Sequence, residues 1–415
     1  MTSSPRHVVV IGAGMVGLST AWHLQSDGVR VTVLDRSGVA AGSSWGNAGW
    51  LAPALTLPLP DPAILASGVR DTLKSSSPVY VPFSANPRLL RFLAGFARHC
   101  TPTKWHSAMS VYSQINRLGL AAFDELADGG VAEPTHEAQP FLAGFATEAD
   151  RETLVAEFRH VVEAGGATDY DLLTGHEIKQ LEPSLGDGVT SGLALHGQRF
   201  INPGRYVHSL AESVRARGGE IIGGVRVRDV KDLGSAGVEV LTDGASVHAD
   251  TAVLATGAWL GDLGRRHGVK KIVQAGRGYS FTVQPTHMPK NPVYFPSQRV
   301  ACTPLGDGFR VAGMMEFRSP EDPLDPRRVN AIIDAVRPML TGVDWDARTD
   351  EWVGSRPCTA DGLPLIGATR SPRVFVSGGH GMWGIVLGPL SGRLLAQQIT
   401  RGERHPLMQS FDPLR

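Results

Sequence analysis

The chain has 415 residues, 40 Lys and Arg against 40 Asp and Glu, and 42% hydrophobic residues. That length predicts two domains, or three small ones, around a sizeable core; the formal net charge of zero argues against a nucleic-acid partner. Cys100, Cys302 and Cys358 are far apart and odd in number, which excludes a disulfide scaffold or a CxxC site and fits a reducing compartment.

Residues 1–7 hold no apolar stretch, so a secretory signal is not expected. His7-Val8-Val9-Val10-Ile11 is a run of β-branched residues that suits a buried parallel strand. A helix is predicted over residues 15–25 and a second strand over 29–34, making one βαβ unit. Residues 36–62 are rich in Gly, Ser, Ala and Pro and predict an ordered loop. Residues 86–127 predict helix, with Leu89, Leu90, Phe92, Leu93, Phe96 and Ala97 on one side. That side suits a helix packed on the core, with a membrane-touching surface as the alternative.

Helices are predicted again at 149–164, 203–217, 326–340 and 382–400. Strands are predicted at 220–222, 225–230, 237–241, 250–255, 272–283, 299–303, 309–314 and 374–376. No run approaches the ~18 apolar residues of a membrane span, which leaves a peripheral protein open. No repeat or flexible linker separates the elements, so two domains are expected to interleave.

Gly12-Ala13-Gly14-Met15-Val16-Gly17 is a GxGxxG placed between strand and helix, with Asp35 ending the second strand. Gly12 permits the tight turn, Gly14 a close approach of pyrophosphate, and Gly17 close packing of helix on strand. The helix N-terminus then offers N–H groups to phosphate, and Asp35 is expected on ribose hydroxyls. The unit alone does not separate FAD from NAD.

Gly42-Ser43-Ser44-Trp45-Gly46 matches the GxSxG of hydrolases but lacks the strand before and the helix after, so that reading is set aside. Fourteen scattered histidines show no metal spacing, and no metal is expected. Ala255-Thr256-Gly257-Ala258-Trp259 suggests backbone approaching a cofactor. Ser377-Gly378-Gly379-His380-Gly381-Met382-Trp383-Gly384 is a second glycine-dense, N–H-rich turn. Beside it Arg356 is a candidate for two-point binding of a carboxylate.

Taken together, the GxGxxG with Asp35, the Ser44/Asn47-Ala48-Gly49 loop, Ile201-Asn202-Pro203-Gly204, Ala255 to Trp259, Arg356-Pro357-x-Thr359-x-Asp361-Gly362-x-Pro364 and Gly379-His380-Gly381 resemble the FAD-dependent D-amino-acid oxidase superfamily. A narrower likeness, to bacterial D-amino-acid dehydrogenases, lies in Asn47-Ala48-Gly49, residues 82–109, Arg277-Gly278-Tyr279-Ser280 and Gly354-Ser355-Arg356-Pro357.

The resemblance implies an α/β fold. A Rossmann-like FAD-binding domain (1–59, 146–164, 200–263 and 350–415) would interleave with a smaller α+β substrate domain on a largely antiparallel sheet (60–145, 165–199 and 264–349). It implies non-covalent FAD, because Gly354 stands where related sarcosine oxidases carry a flavin-linking Cys. The implied cofactor contacts are Gly12, Gly14, Met15, Val16, Gly17, Asp35, Arg36, Ser43, Ser44, Asn47, Ala48, Gly49, Val227, Thr256, Gly257 and Trp259. Gly379, Gly381, Met382, Trp383, Gly384 and Ile385 complete the set.

For substrate the resemblance implies Arg356 on the carboxylate, the Met382 carbonyl on the amino group, and Tyr279 as the substrate tyrosine. The implied reaction is oxidation of an amino acid, expected to be a D-amino acid, to 2-oxo acid and ammonia by hydride transfer to flavin N5. Arg310, where sarcosine oxidases place a Lys, favours a quinone or dye over oxygen as acceptor. The alternatives are a secondary-amine oxidase or dehydrogenase of glycine/sarcosine or hydroxyproline type, and a flavin-holding subunit of a larger dehydrogenase. The expected location is cytoplasmic, with attachment to the inner face of the membrane and an oligomer left open.

Overall fold

The computed structural model describes residues 4–63, 79–82 and 85–415. Residues 1–3, 64–78 and 83–84, which the sequence reading divides between the two units, lie outside the described residues. The run of β-branched residues at His7–Ile11 becomes the centre of a six-stranded sheet. Across that sheet the strands are Glu220–Ile222, Arg30–Leu34, His7–Ile11, Thr251–Leu254, Val374–Gly378 and Leu365–Ala368. All neighbours are parallel except the last pair.

Successive side chains of a strand point to opposite faces. Val8 and Val10 therefore enter a core made with helices Met15–Ser26, Pro102–Asp128, Pro203–Ala216 and Gly384–Arg401. Val9 and Ile11 enter a second core beneath the three-stranded sheet of Val227–Asp232, Val238–Thr242 and Val247–Ala249. A strand covered on both faces needs an unbroken apolar run, which is why no alternation is visible there.

A nine-stranded, mostly antiparallel sheet forms the second unit. Its order runs Thr349–Thr359, Val273–Val283, Gly308–Phe317, Val300–Leu305, Val293–Phe295, Phe141–Phe145, Ser191–Leu195 and Tyr170–Thr174, with Val79–Tyr80 beside Gly308–Phe317. Helix Pro326–Val336 covers one face through Val329, Ile332, Ile333 and Val336, packed on residues that include Phe281 and Val311. Among the described residues no helix is long and apolar enough to cross a membrane.

Three segments correct the expected division of the chain. Helix Glu148–Glu163 packs through Leu154, Val155 and Phe158 against Phe141, Phe145, Leu193 and Leu195 of the nine-stranded sheet, and only its Val161 joins the core of the six-stranded sheet. Helix Pro102–Asp128 does the opposite, burying Met109, Tyr112, Ile115 and Phe123 in the core of the six-stranded sheet. Strand Thr349–Thr359 is an edge of the nine-stranded sheet, the position in which Pro357 is tolerated.

The predicted helix over 86–127 is broken at Cys100 and Thr101 into Pro87–His99 and Pro102–Asp128. Asn86 caps the first piece by accepting from the Arg88 and Leu89 N–H groups. Its apolar side turns inward: Leu89, Phe92 and Phe96 pack on Met315 and Phe317, with the Phe92 and Phe317 ring centroids 5.3 Å apart. The core-packing expectation holds for that side, and only Leu90 of the named apolar residues is well exposed.

Candidate active site

A cleft opens at the carboxyl ends of the parallel strands, where the turns after His7–Ile11, Arg30–Leu34 and Thr251–Leu254 meet the turn that precedes helix Gly384–Arg401. This is the crevice that open α/β sheets use for ligands. Gly12, Gly14, Met15, Val16 and Gly17 form one wall. Gly12 has φ +119°, and a Cβ there would lie 2.3 Å from the Ala255 carbonyl oxygen. At Gly17 a Cβ would lie 2.0 Å from the Gly12 carbonyl oxygen. The glycines thus bring strand, turn and helix closer than side chains allow, and the helix N-terminus faces the cleft.

Asp35, Arg36, Ser43, Ser44 and Asn47 line the next stretch. Asp35 Oδ2 accepts from the Ala13 N–H at 2.9 Å, and Oδ1 from the N–H groups of Ser37 and Gly38 at 2.8 and 2.9 Å. A carboxylate offers about four acceptor sites, so one remains for a ligand hydroxyl. Ser44 Oγ accepts from the Met15 N–H at 3.2 Å, and Ser43 Oγ donates to the Ser355 carbonyl, joining this loop to both units.

Val227, Thr256, Gly257, Trp259, Gly381, Met382, Gly384 and Ile385 also line the cleft. Arg36 lies 3.7 Å over the Trp259 ring, and both donate to Glu321 Oε1, at 3.0 and 2.6 Å respectively.

Four expected contacts do not reach the lining. The Ala48 carbonyl accepts from Thr303 Oγ1 at 2.7 Å and the Gly49 carbonyl from the Ile201 N–H at 2.9 Å, so both brace the loop from behind. Trp383 turns its Nε1–H away to the Leu57 carbonyl, 2.7 Å distant. Gly379 is buried against Thr359 and Leu365.

Tyr279 is a further correction. It is 1% exposed in the core under helix Pro326–Val336, and its hydroxyl donates to Glu316 at 2.5 Å. Gly278, not Tyr279, faces Arg356, because adjacent residues of a strand point to opposite sides. Arg310 is likewise displaced: it sits 4.8 Å over the Trp45 ring and donates to the Trp45 carbonyl at 3.3 Å, and it is absent from the cleft wall.

Arg356 and Met382 do line the cleft. The Arg356 guanidinium donates from Nη1 to the Met314 carbonyl at 2.7 Å, and among the described residues no carboxylate lies within ion-pair distance. Burial lowers its pKa, as expected for a cation without a counter-charge.

Sequence reasoning missed Arg226, Arg228, Asp262 and His380 on the lining. Only His380 carried a signal, through its place in the glycine turn. Its Nε2 lies 2.9 Å from Ser391 Oγ, and burial lowers its pKa to about 4, so the ring is neutral at pH 7.

Two cleft hydroxyls, Thr256 Oγ1 and Ser377 Oγ, are buried without a hydrogen-bond partner. Buried hydroxyls are rarely left so, and a polar ligand in the cleft would satisfy them. With the glycine cradle and the helix N-terminus, they fit a dinucleotide cofactor.

Comparison with known proteins agrees. The chain is 28% identical over 412 residues to a D-amino acid dehydrogenase of Rhizorhabdus wittichii, covering 98% of each chain. It is 29% identical over 415 residues to one of Vibrio vulnificus, covering 98% of this chain and 99% of that one. Glycine oxidase from Geobacillus kaustophilus shares the fold with a TM-score of 0.75 at 20% identity, covering 100% of this chain and 99% of that one. Residues 7–398 match the model of the DAO family, described as FAD dependent oxidoreductase, and the chain belongs to that family.

Proposed function

We propose that this FAD-dependent oxidoreductase oxidises an α-amino acid, with D-amino acids as favoured substrates, to the 2-oxo acid and ammonia. The observation that carries this reading is Arg356, a guanidinium on the cleft wall with no carboxylate to pair with among the described residues. When bound, FAD supplies the hydride-accepting ring. Arg356 would hold the substrate carboxylate and the Met382 carbonyl the amino group, orienting the Cα–H toward the cofactor site. The nine-stranded sheet would roof this position and exclude water. No protein base is needed when the amine binds neutral.

Gly12, Gly14, Met15, Val16 and Gly17 would hold the pyrophosphate, with Asp35 on a ribose. The linkage is non-covalent in this reading: a side chain at Gly354 would begin with a Cβ 1.7 Å from the Trp352 ring. The acceptor is a quinone or similar carrier, an inference that now rests on the likeness to dehydrogenases, since Arg310 lies behind Trp45.

Anaerobic mixing with a panel of D- and L-amino acids tests the reading. D-amino acids are expected to bleach the visible flavin band, and acid is expected to release free FAD. A panel that leaves the band unchanged would overturn the proposal.

The Glu321 contacts give a second expectation. Glu321 lies between strand Gly308–Phe317 and helix Pro326–Val336, yet it accepts from Arg36 and Trp259 on the cleft wall. Its side chain is 64% exposed, so solvent screens the pair. Glu321→Gln should therefore cost about 1 kcal/mol and speed FAD release roughly fivefold. Flavin fluorescence after dilution measures this; an unchanged release rate would show that the bridge does not retain the cofactor.

A further inference from the structure

Arg356 does not lie over its own cross-strand partner, Gly276. Its guanidinium lies over Gly278, where a Cβ would come within 2.2 Å of the Arg356 Cζ. Gly278 pairs with Gly354, which makes the same room for the Trp352 indole. Two glycines facing each other across the strands thus carry a guanidinium and an indole on the cleft side of the sheet.

On the other flank of Gly278 the ladder is irregular. Arg277 pairs with Glu316 and Tyr279 with Gly313, so Met314 and Met315 together oppose Gly278. An extra residue of this kind re-aims the backbone, and bulges occur next to active sites. Met314 takes up the irregularity with φ +58°, although it is 5% exposed and not a glycine. A non-glycine residue in the left-handed region is strained, because its Cβ crowds the following carbonyl oxygen. In return its carbonyl is the acceptor at 2.7 Å from Arg356 Nη1.

We propose that Gly278 and Met314 are positioning residues that aim Arg356. Gly278 lets the guanidinium lie flat on the sheet, and the turned Met314 carbonyl fixes one edge, so that the remaining N–H groups face a substrate carboxylate. The inference rests on Arg356 being the carboxylate site. It extends that reading by making the enzyme's preference for a carboxylate over a plain amine depend on two residues that do not touch substrate.

The test uses the FAD-loaded enzyme and acetate as probe, with binding read from perturbation of the flavin spectrum and KM and kcat measured separately on an amino acid. Gly278→Ala should weaken acetate and raise KM by about tenfold or more, because it lifts the guanidinium from its seat. Met314→Val should do the same, because a β-branched residue resists positive φ. Met314→Gly, which keeps the left-handed turn, should stay within about twofold of the parent. Saturating kcat should change much less than KM, and flavin content should not change.

If Gly278→Ala and Met314→Val bind acetate normally while Arg356→Ala does not, the positioning role is wrong and the role of Arg356 survives. If Arg356→Ala also binds acetate normally, the carboxylate site itself is misplaced and the inference falls with it. Should Gly278→Ala fail to fold, the contrast between Met314→Val and Met314→Gly decides.

Discussion

Arg356→Ala is expected to lower kcat/KM for amino acids at least about 30-fold while leaving FAD bound. Removing one side of a buried, hydrogen-bonded charge pair typically costs ~2–5 kcal/mol, and here the other side would be the substrate carboxylate. Arg356→Lys should fall between, because Lys keeps the charge but not the planar fork. An amine without a carboxylate should feel either substitution much less.

The same side chain makes a prediction of opposite sign for stability. Burial lowers the Arg356 pKa, and among the described residues no carboxylate compensates the charge. Without substrate, the fold gains little from it. Arg356→Ala should therefore keep or raise the unfolding midpoint while activity collapses. Near-normal kcat/KM on amino acids, or a large loss of stability, would make Arg356 a structural residue and the substrate pose wrong.

Gly12→Ala is expected to abolish FAD binding and destabilise the chain by several kcal/mol. Two separate costs meet there. The backbone has φ +119°, which L side chains rarely adopt, and the new Cβ would stand 2.3 Å from the Ala255 carbonyl oxygen. That oxygen cannot retreat easily, since the Ala255 N–H donates to the Ile11 carbonyl at 2.8 Å and continues the central parallel pairing.

Gly38→Ala separates the two costs, because Gly38 has φ +131° but no atom within 4 Å of a Cβ. Gly38→Ala should lose some stability and keep FAD. Flavin content per chain and the urea midpoint of both variants measure this. Stoichiometric FAD in Gly12→Ala would refute the tight strand-to-helix approach.

By itself, the sequence determined what short-range chemistry controls. The β-branched run at His7–Ile11, the glycines that follow it, the helical spacing after Met15 and Asp35 at the end of Arg30–Leu34 specify a βαβ unit within 35 residues of chain. On the cleft wall, Gly12, Gly14, Gly17, Asp35, Gly381 and Gly384 follow from that unit and from the later glycine turn, whereas Arg36, Ser43, Asn47 and Val227 were expected only through the family resemblance. Strand Phe141–Phe145 was not legible, because it is buried throughout and shows no alternation to mark it. Thr349–Thr359 was hidden for another reason: Gly354 and Pro357 read locally as turn residues, and only edge pairing with Val273–Val283 makes them a strand.

Arg356 and Met382 were named from the sequence, but what surrounds Arg356 was decided by the tertiary structure. Tyr279 and Gly278 are adjacent in sequence, yet one enters the core and the other seats Arg356. Which of them faces the cleft depends on register with strands more than 30 residues away and on a bulge that places Met314 and Met315 opposite one glycine. A one-residue change of register exchanges the two faces of a strand, and no local pattern encodes that choice when both faces are covered. The position of Arg310 behind Trp45 has the same origin, since it is set by contacts between segments 265 residues apart.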